Sequence, residues 1–411
     1  MYKRQGEAQA LLAALDGRLV APGPSGAPSR GRVDVLPTGR NLFTIDPRAV
    51  PTRAAMVLAG RMAEALLTRH RQDSGDWLLS LVIDLWGSTT LRTGGEDLAL
   101  ALVLIGAAPV WDAASGRVRG VEIVPTAMLD RPRVDVTLRV SGLFRDQFEA
   151  QMLLFDTAVQ AIAAREESAG LNPLAALGEA TPRRIYGPAP GAHGAGSDAL
   201  LAGADREALG RAYLAASSSA YGPDAGAVDD ADGFARRVAS SQALLHQQDH
   251  AETDLLDSPE YAAHEGGYAA AAALLGAAPV LYHADSSRPD APKMRTVDEE
   301  VVRVVRGRLA NRDWIAGMMR HGYRGAAEIA RALTSLHGFA RTMPQRFDRQ
   351  YDLVFAATLA DPDVDRFMRE ANPEAWGAMQ ADFRDALTRN LWQPTANSAA
   401  MLLDGSSENA A

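Results

Sequence analysis

Tyr282-His283-Ala284-Asp285 closes a short apolar run and leads into the turn Ser287-Arg288-Pro289, so an imidazole and a carboxylate stand together at the end of a predicted strand. Loops at the carboxyl ends of strands are where open α/β sheets bind ligands. Upstream, His246, Asp249, His250, Glu252, Asp254, Asp257, Glu260, His264 and Glu265 form the densest set of imidazole and oxygen donors in the sequence. Their spacing matches neither a His-Glu-x-x-His helix nor a calcium-binding loop. An acidic, solvated helical face is the plainer reading for most of them. His321, in Met319-Arg320-His321-Gly322-Tyr323, has the chemistry of a metal ligand or proton acceptor, and equally that of a satisfied structural histidine.

A second group of segments suits anions. In Leu36-Pro37-Thr38-Gly39-Arg40-Asn41, Pro37 forces Leu36 to be extended and Gly39 permits a sharp bend. Arg40 would then project from a rigid loop as a fork for a carboxylate, unless the loop merely feeds the next helix. Trp86-Gly87-Ser88-Thr89-Thr90 follows an apolar run and precedes a helix whose free amides favour negative charge, or it is simple strand-to-helix punctuation. In Ser141-Gly142-Leu143-Phe144-Arg145-Asp146, Asp146 can cap a helix, and Arg145 can pair with a ligand carboxylate. Pro190-Gly191-Ala192-His193-Gly194-Ala195-Gly196 is not a dinucleotide fingerprint, but Gly191 and Gly194 suit a nest of amides for carboxylates.

The elements that must hold these residues alternate in type. Ala8–Leu15 reads as a short helix, followed by the turn-rich segment 22–28. Leu58, Met62 and Leu66 recur at helical spacing after Pro51, which suits a first helical turn. Leu79–Trp86 is an apolar run with the length of a buried strand, and Glu96–Ile105 a helix stopped by Gly106. Pro109–Trp111 and Val121–Val124 read as strands paired across Ser115-Gly116. Val134, Val136, Leu138 and Val140 alternate with Asp135, Thr137 and Arg139, the pattern of a half-buried strand with a polar face. Phe148–Glu167 is helical, Ala243–Gln247 and Pro279–His283 are further strands, and the chain beyond Val297 is mostly helical. The expectation is a multi-domain α/β protein with parallel or mixed sheets, flanking helices and a mostly helical C-terminal region. The segments are 1–170, an α/β domain with the Leu36–Asn41 loop; 171–297, a second α/β segment with candidate metal and substrate residues; 298–403, helical; and 404–411, a polar tail expected to be disordered.

Composition removes several functions. The 411 residues carry a net charge of −9, which argues against a broad nucleic-acid-binding surface. With no cysteine, disulfides, thiolate metal sites and cysteine nucleophiles are all excluded. Any metal must be held by His, Asp, Glu, backbone or its own ligand. Lys3 and Lys293 are the only lysines and neither has a P-loop context, so this sequence carries no such NTPase site. The longest apolar stretch, Leu98–Trp111, is interrupted by Gly106 and Pro109 and too short to span a bilayer. Without a convincing leader after Lys3 and Arg4, a cytoplasmic location is expected.

The order of the segments adds more than any one of them. Leu36–Phe43, Asp46–Thr52, Leu85-Trp86-Gly87, the run from Arg131 to Asp146, Tyr282–Pro289 and Trp314–Gly325 resemble the large subunits of aerobic cobaltochelatase, the CobN type, and of magnesium chelatase, the H subunit. The likeness is to the C-terminal part of those subunits and runs from about residue 8 to residue 400. Leu91–Asp97, Asp254–Asp257, Glu265-Gly266-Gly267, Ser287-Arg288-Pro289 and Arg320–Tyr323 look like the cobalt branch. His193 departs from it, standing where the family tends to have tyrosine, and 165–170 is shortened.

The resemblance implies cobalt insertion into hydrogenobyrinic acid a,c-diamide during cobalamin synthesis, with cobalt as substrate. ATP and magnesium would belong to an AAA+ ATPase subunit and its integrin-like-domain partner. It further implies catalytic roles for His283, Asp285 and His321, with His283, His321, Asp254 and Glu265 as candidate metal ligands. Arg40, Arg145, Arg288, Gly191 and Gly194 would meet the tetrapyrrole's carboxylates. The alternatives are a magnesium chelatase H-type subunit acting on protoporphyrin, and a non-catalytic docking fragment for the ATPase partners.

Overall fold

Leu81, Ile83 and Leu85 point to one side of a strand and Val82 and Asp84 to the other, and every residue from Leu81 to Leu85 is buried. Such a strand needs a covering layer on each face. The structure, a computed structural model, supplies both, and it describes residues 2–23, 35–40, 45–178, 182–197, 203–222, 226–395 and 399.

Ten strands are described: β1 (Ser80–Leu85), β2 (Ala107–Trp111), β3 (Val118–Ile123), β4 (Asp135–Val140), β5 (Ile185–Gly187), β6 (Ser219–Tyr221), β7 (Val228–Asp229), β8 (Ala243–Gln248), β9 (Val280–Asp285) and β10 (Lys293–Thr296). Eight form one mixed sheet in the order β10-β9-β8-β1-β4-β5-β6-β7, while β2 and β3 pair as a separate hairpin. Strands β9, β8, β1, β4 and β5 are parallel, and β10, β6 and β7 run antiparallel to their neighbours. The division placed at 170 falls within one sheet: β1 and β4 lie before it, β8 and β9 after it, and the four are joined by hydrogen bonds in the order β9-β8-β1-β4, while the described elements beyond 297 are all helical.

One face of the sheet packs on the helices Arg53–Ser74, Glu96–Ile105 and Glu149–Ala163 through Leu81, Ile83, Val136, Leu138 and Leu245. Thr52 caps the first of these through Ala55 N, and Gly75, with φ 82°, ends it. The other face meets Arg206–Ala216, Ala231–Ser240 and Gly267–Leu274, beyond which lie the long helices Gly322–Thr342 and Pro373–Thr388. No helix among the described residues is long and apolar enough to cross a membrane.

The β4 pattern, expected to show water a polar face, instead buries every residue. Asp135 is bound by Arg184 and Arg237, and Arg139 by Asp84. Alternation marks two unlike faces, and here the polar one is satisfied by charges from neighbouring elements. The 404–411 tail, Asn41 and most of the 22–28 turn segment lie outside the described residues.

Candidate functional site

From β1 the chain moves to β4 and β5 on one side, then returns to place β8 and β9 on the other. The crevice beyond the carboxyl ends of β1 and β8 is thus a topological switch point, where sheets of this kind bind ligands. Trp86, Ser88, Thr89 and Arg92, after β1, and His246, Asp249 and His250, from the end of β8, line a cavity of roughly 440 Å³ there. A second cavity of roughly 750 Å³ opens beside it, lined by Asp254, Asp285, Arg288, Arg295, Arg308 and Trp314 among others. Glu252, Thr253, Asp257 and Glu328 belong to the walls of both, so the two form one cleft with two compartments.

Beneath the first compartment a polar row crosses the sheet at one level. Arg139, Asp84, His246, His283 and Arg295 are register-paired, one each on β4, β1, β8, β9 and β10. The Asp84 carboxylate lies 3.2 Å from the Arg139 guanidinium, 2.8 Å from His264 Nδ1 and 3.4 Å from His246 Nδ1, and accepts a bond from the Trp86 indole at 2.9 Å. Burial alone would raise its pKa, but the charges of His264 and Arg139 outweigh that and hold it well below the ordinary carboxylate range. Asp84 is therefore a fixed anion under the cavity.

His283 has a different environment. Nδ1 is 2.8 Å from Glu265 Oε1, and Nε2 is 3.0 Å from Gln248 Oε1. The Gln248 amide is oriented by donating to the carbonyls of His250 and Thr253, which leaves its oxygen facing His283. Both ring nitrogens thus face acceptors, the arrangement of an imidazolium. Burial opposes that charge, yet the Glu265 carboxylate outweighs it and keeps the pKa above the ordinary histidine value. With no free lone pair and no solvent exposure, His283 lacks the means to ligate a metal or accept a proton in this arrangement. Glu265 is equally buried, on the π-helical turn Ala262–Gly266.

The second compartment is lined with guanidinium groups. Arg308 holds both Asp254 and Asp257, pinning the segment after β8. Burial pushes the Asp254 carboxyl up to about 6. Arg303 and Arg295 both reach the buried Glu300. Asp285 accepts from the Ser287 amide and hydroxyl, shaping the turn that presents the exposed Arg288. Asp285, Arg288 and Asp254 are thus brought to one compartment.

Other expected residues lie elsewhere. His321 is exposed at the start of Gly322–Thr342, caps nothing, and lines neither compartment. Arg40 is half-buried and also outside the cleft, its carbonyl bound by Gly23 and its Nε without a partner among the described residues. Arg145 is buried, paired with Asp146 and bonded to the carbonyls of Pro188, Ala189 and Ala192. The Gly191–Gly194 loop, expected to offer amides to an anion, instead aims carbonyls at arginines, with Gly194 O accepting from Arg139 at 3.0 Å. The 246–265 stretch is not a solvated helical face: it is the end of β8, a loop and a π-helical turn, with His246, Asp249, His264 and Glu265 all buried. Among the described residues, no group of three or more such side chains is arranged to hold an ion.

Sequence reasoning passed over Asp84 and His246 as a pair. Their signal was a charged or imidazole residue interrupting an apolar strand just before its end, in Leu81-Val82-Ile83-Asp84-Leu85 and in Ala243-Leu244-Leu245-His246.

Known proteins share this framework. The sequence matches the CobN/Magnesium Chelatase family over residues 1–399. It is 46% identical to the aerobic cobaltochelatase subunit CobN of a Sinorhizobium species over 421 residues, covering 97% of this chain and 33% of that protein. To the chloroplastic magnesium-chelatase subunit ChlH of Oryza sativa subsp. japonica it is 32% identical over 421 residues, covering 98% of this chain and 30% of that one. The catalytic subunit of cobaltochelatase from Mycobacterium tuberculosis superposes with a TM-score of 0.89 at 38% identity, over 97% of this chain and 35% of that one. The chain thus spans about a third of the length of these relatives.

Proposed function

Since the chain belongs to the CobN/magnesium chelatase family, we propose that it supplies a tetrapyrrole-handling cleft of a cytoplasmic cobaltochelatase. In this reading it binds hydrogenobyrinic acid a,c-diamide and takes part in inserting cobalt, the second substrate, during cobalamin biosynthesis. ATP is hydrolysed, with magnesium, on an AAA+ subunit that works with an integrin-like-domain partner. The higher identity to the CobN relative than to the ChlH relative favours cobalt over magnesium.

The observation that carries the reading is the two-compartment cleft at the switch point, with arginines in one compartment and an imidazole above a fixed carboxylate in the other. A corrin precursor is a broad apolar ring fringed with carboxylates, so its receptor needs aromatic surface and guanidinium forks. Trp314 and Trp86 offer the first, Arg288 and Arg295 the second. Insertion also requires that the ion lose water and that the ring lose two pyrrolic protons, for which a polar floor beneath an apolar wall is suited.

The test is direct binding. Adding hydrogenobyrinic acid a,c-diamide to the chain is expected to quench tryptophan fluorescence saturably, with a weaker response to protoporphyrin. Absence of saturable quenching by either ring would reject the reading, and a preference for protoporphyrin would move it to the magnesium branch.

A further inference from the structure

Two histidines line the first compartment and two lie behind it, and their partners separate them. His283 has both nitrogens bound to acceptors. His250 lines the cavity, but Nδ1 lies 3.3 Å from Asp249 and Nε2 2.9 Å from the Thr253 hydroxyl. His264 has its Nδ1 against Asp84 and Arg139 and does not line the cavity. His246 lines it; its Nδ1 is buried 3.4 Å from Asp84 without a hydrogen bond, and its Nε2 likewise makes none among the described residues.

The geometry points to His246 as the group that accepts pyrrolic protons from the ring, with Asp84 as its positioning residue. This rests on the tetrapyrrole reading above and names the proton acceptor within that cleft. Neutral His246 carries its proton on Nδ1, toward Asp84, which leaves the Nε2 lone pair for the substrate. A pyrrolic N–H gives its proton to Nε2, the N–H bond breaks, and its electron pair stays on the ring nitrogen as a donor for the arriving ion. The resulting imidazolium is held by Asp84, whose carboxylate keeps its charge because Arg139 and His264 stabilise it. The proton then leaves Nε2 for water, and His246 is ready for the second one.

The groups facing His246 suit that cycle. Trp86 and Tyr261 meet its ring edgewise, at centroid separations of 4.6 and 5.5 Å. They fix its plane and exclude water from its sides. The His283 ring stacks at 6.1 Å, with Glu265 beyond it balancing that ring's charge. The 3.4 Å separation from Asp84 is loose for a neutral histidine, and it is expected to shorten once the ring is charged.

His246→Gln and His246→Ala, each assembled with the ATPase partners, provide the test. His246→Gln is expected to lower kcat for cobalt insertion by about 10²- to 10⁴-fold. Its KM for the tetrapyrrole and its fluorescence quenching should stay as in the unsubstituted protein. In His246→Ala, added imidazole should restore part of the rate while leaving the unsubstituted protein unaffected. A normal rate in His246→Gln, loss of tetrapyrrole binding in place of turnover, or no rescue in a folded His246→Ala would each overturn the assignment. Failure of the unsubstituted protein to bind the ring would remove the tetrapyrrole reading itself, a result distinguishable from these.

Discussion

Glu265 lies 2.8 Å from His283 with both side chains sealed from solvent. A buried charge left without its partner is costly, so Glu265→Gln is expected to destabilise the fold by about 3–5 kcal/mol. The pH dependence has a definite sign. The folded-state pKa of His283 is raised, so the pair's contribution is complete below about pH 6.5 and is lost as pH rises through the folded value. Urea midpoints measured across that window should fall with rising pH in the parent chain and change less in Glu265→Gln. Equal slopes would show that His283 is not the titrating group.

Asp84→Asn should reach further than its own strand. Arg139 is fully buried and would lose its only acidic partner among the described contacts, at a cost of about 3–5 kcal/mol. Because Arg139 also holds the Gly194 carbonyl, amides of residues 191–197 should exchange faster with deuterium than in the parent. Mass spectrometry of the exchanged peptides reads this, and unchanged protection there would disprove the link.

Arg288 is exposed and makes no ion pair among the described residues, so its removal should leave stability unchanged. If it meets a ring carboxylate, Arg288→Ala should weaken tetrapyrrole binding by roughly 1.5–3 kcal/mol, the range of a charge-assisted bond. Fluorescence titration at two salt concentrations checks this, and binding equal to the parent at both would exclude the contact.

Gly325 explains part of the Arg320–Gly325 motif without any chemistry. A Cβ at this position would stand 1.8 Å from the Met318 carbonyl oxygen, so Arg312–Met319 and Gly322–Thr342 close on each other only because the side chain is missing. Gly325→Ala is expected to cost at least about 1–3 kcal/mol through overpacking, which a thermal melt would register.

Much of the framework was readable from pattern. Glu96–Ile105 has the bounds expected from its apolar run and Gly106, and β1, β8 and β9 fall on the predicted apolar stretches. What periodicity does not encode is the destination of a polar residue. Asp135, Thr137 and Arg139 alternate as a wetted face would, yet Asp135 is met by Arg184 and Arg237 from 49 and 102 residues away, Thr137 by Arg237 from 100, and Arg139 by Asp84 from 55. Arg145 was legible as a fork for an oxygen anion, but carbonyls of a loop more than forty residues later occupy it. The 246–265 cluster reads as a solvated helical face because the strand end that holds His246 and the π-helical turn that holds His264 leave no spacing signal.

The transverse row has a consequence for biosynthesis. Its members stand at positions 84, 139, 246, 283 and 295, so the last is made 211 residues after the first. As the ribosome releases β1 and β4, Asp84 and Arg139 can pair at once, but His283 and Arg295 do not yet exist. The floor of the cleft is therefore among the last parts of the sheet to be completed, and an emerging chain stalled before β9 would hold the sheet's hydrophobic centre without the finished polar row.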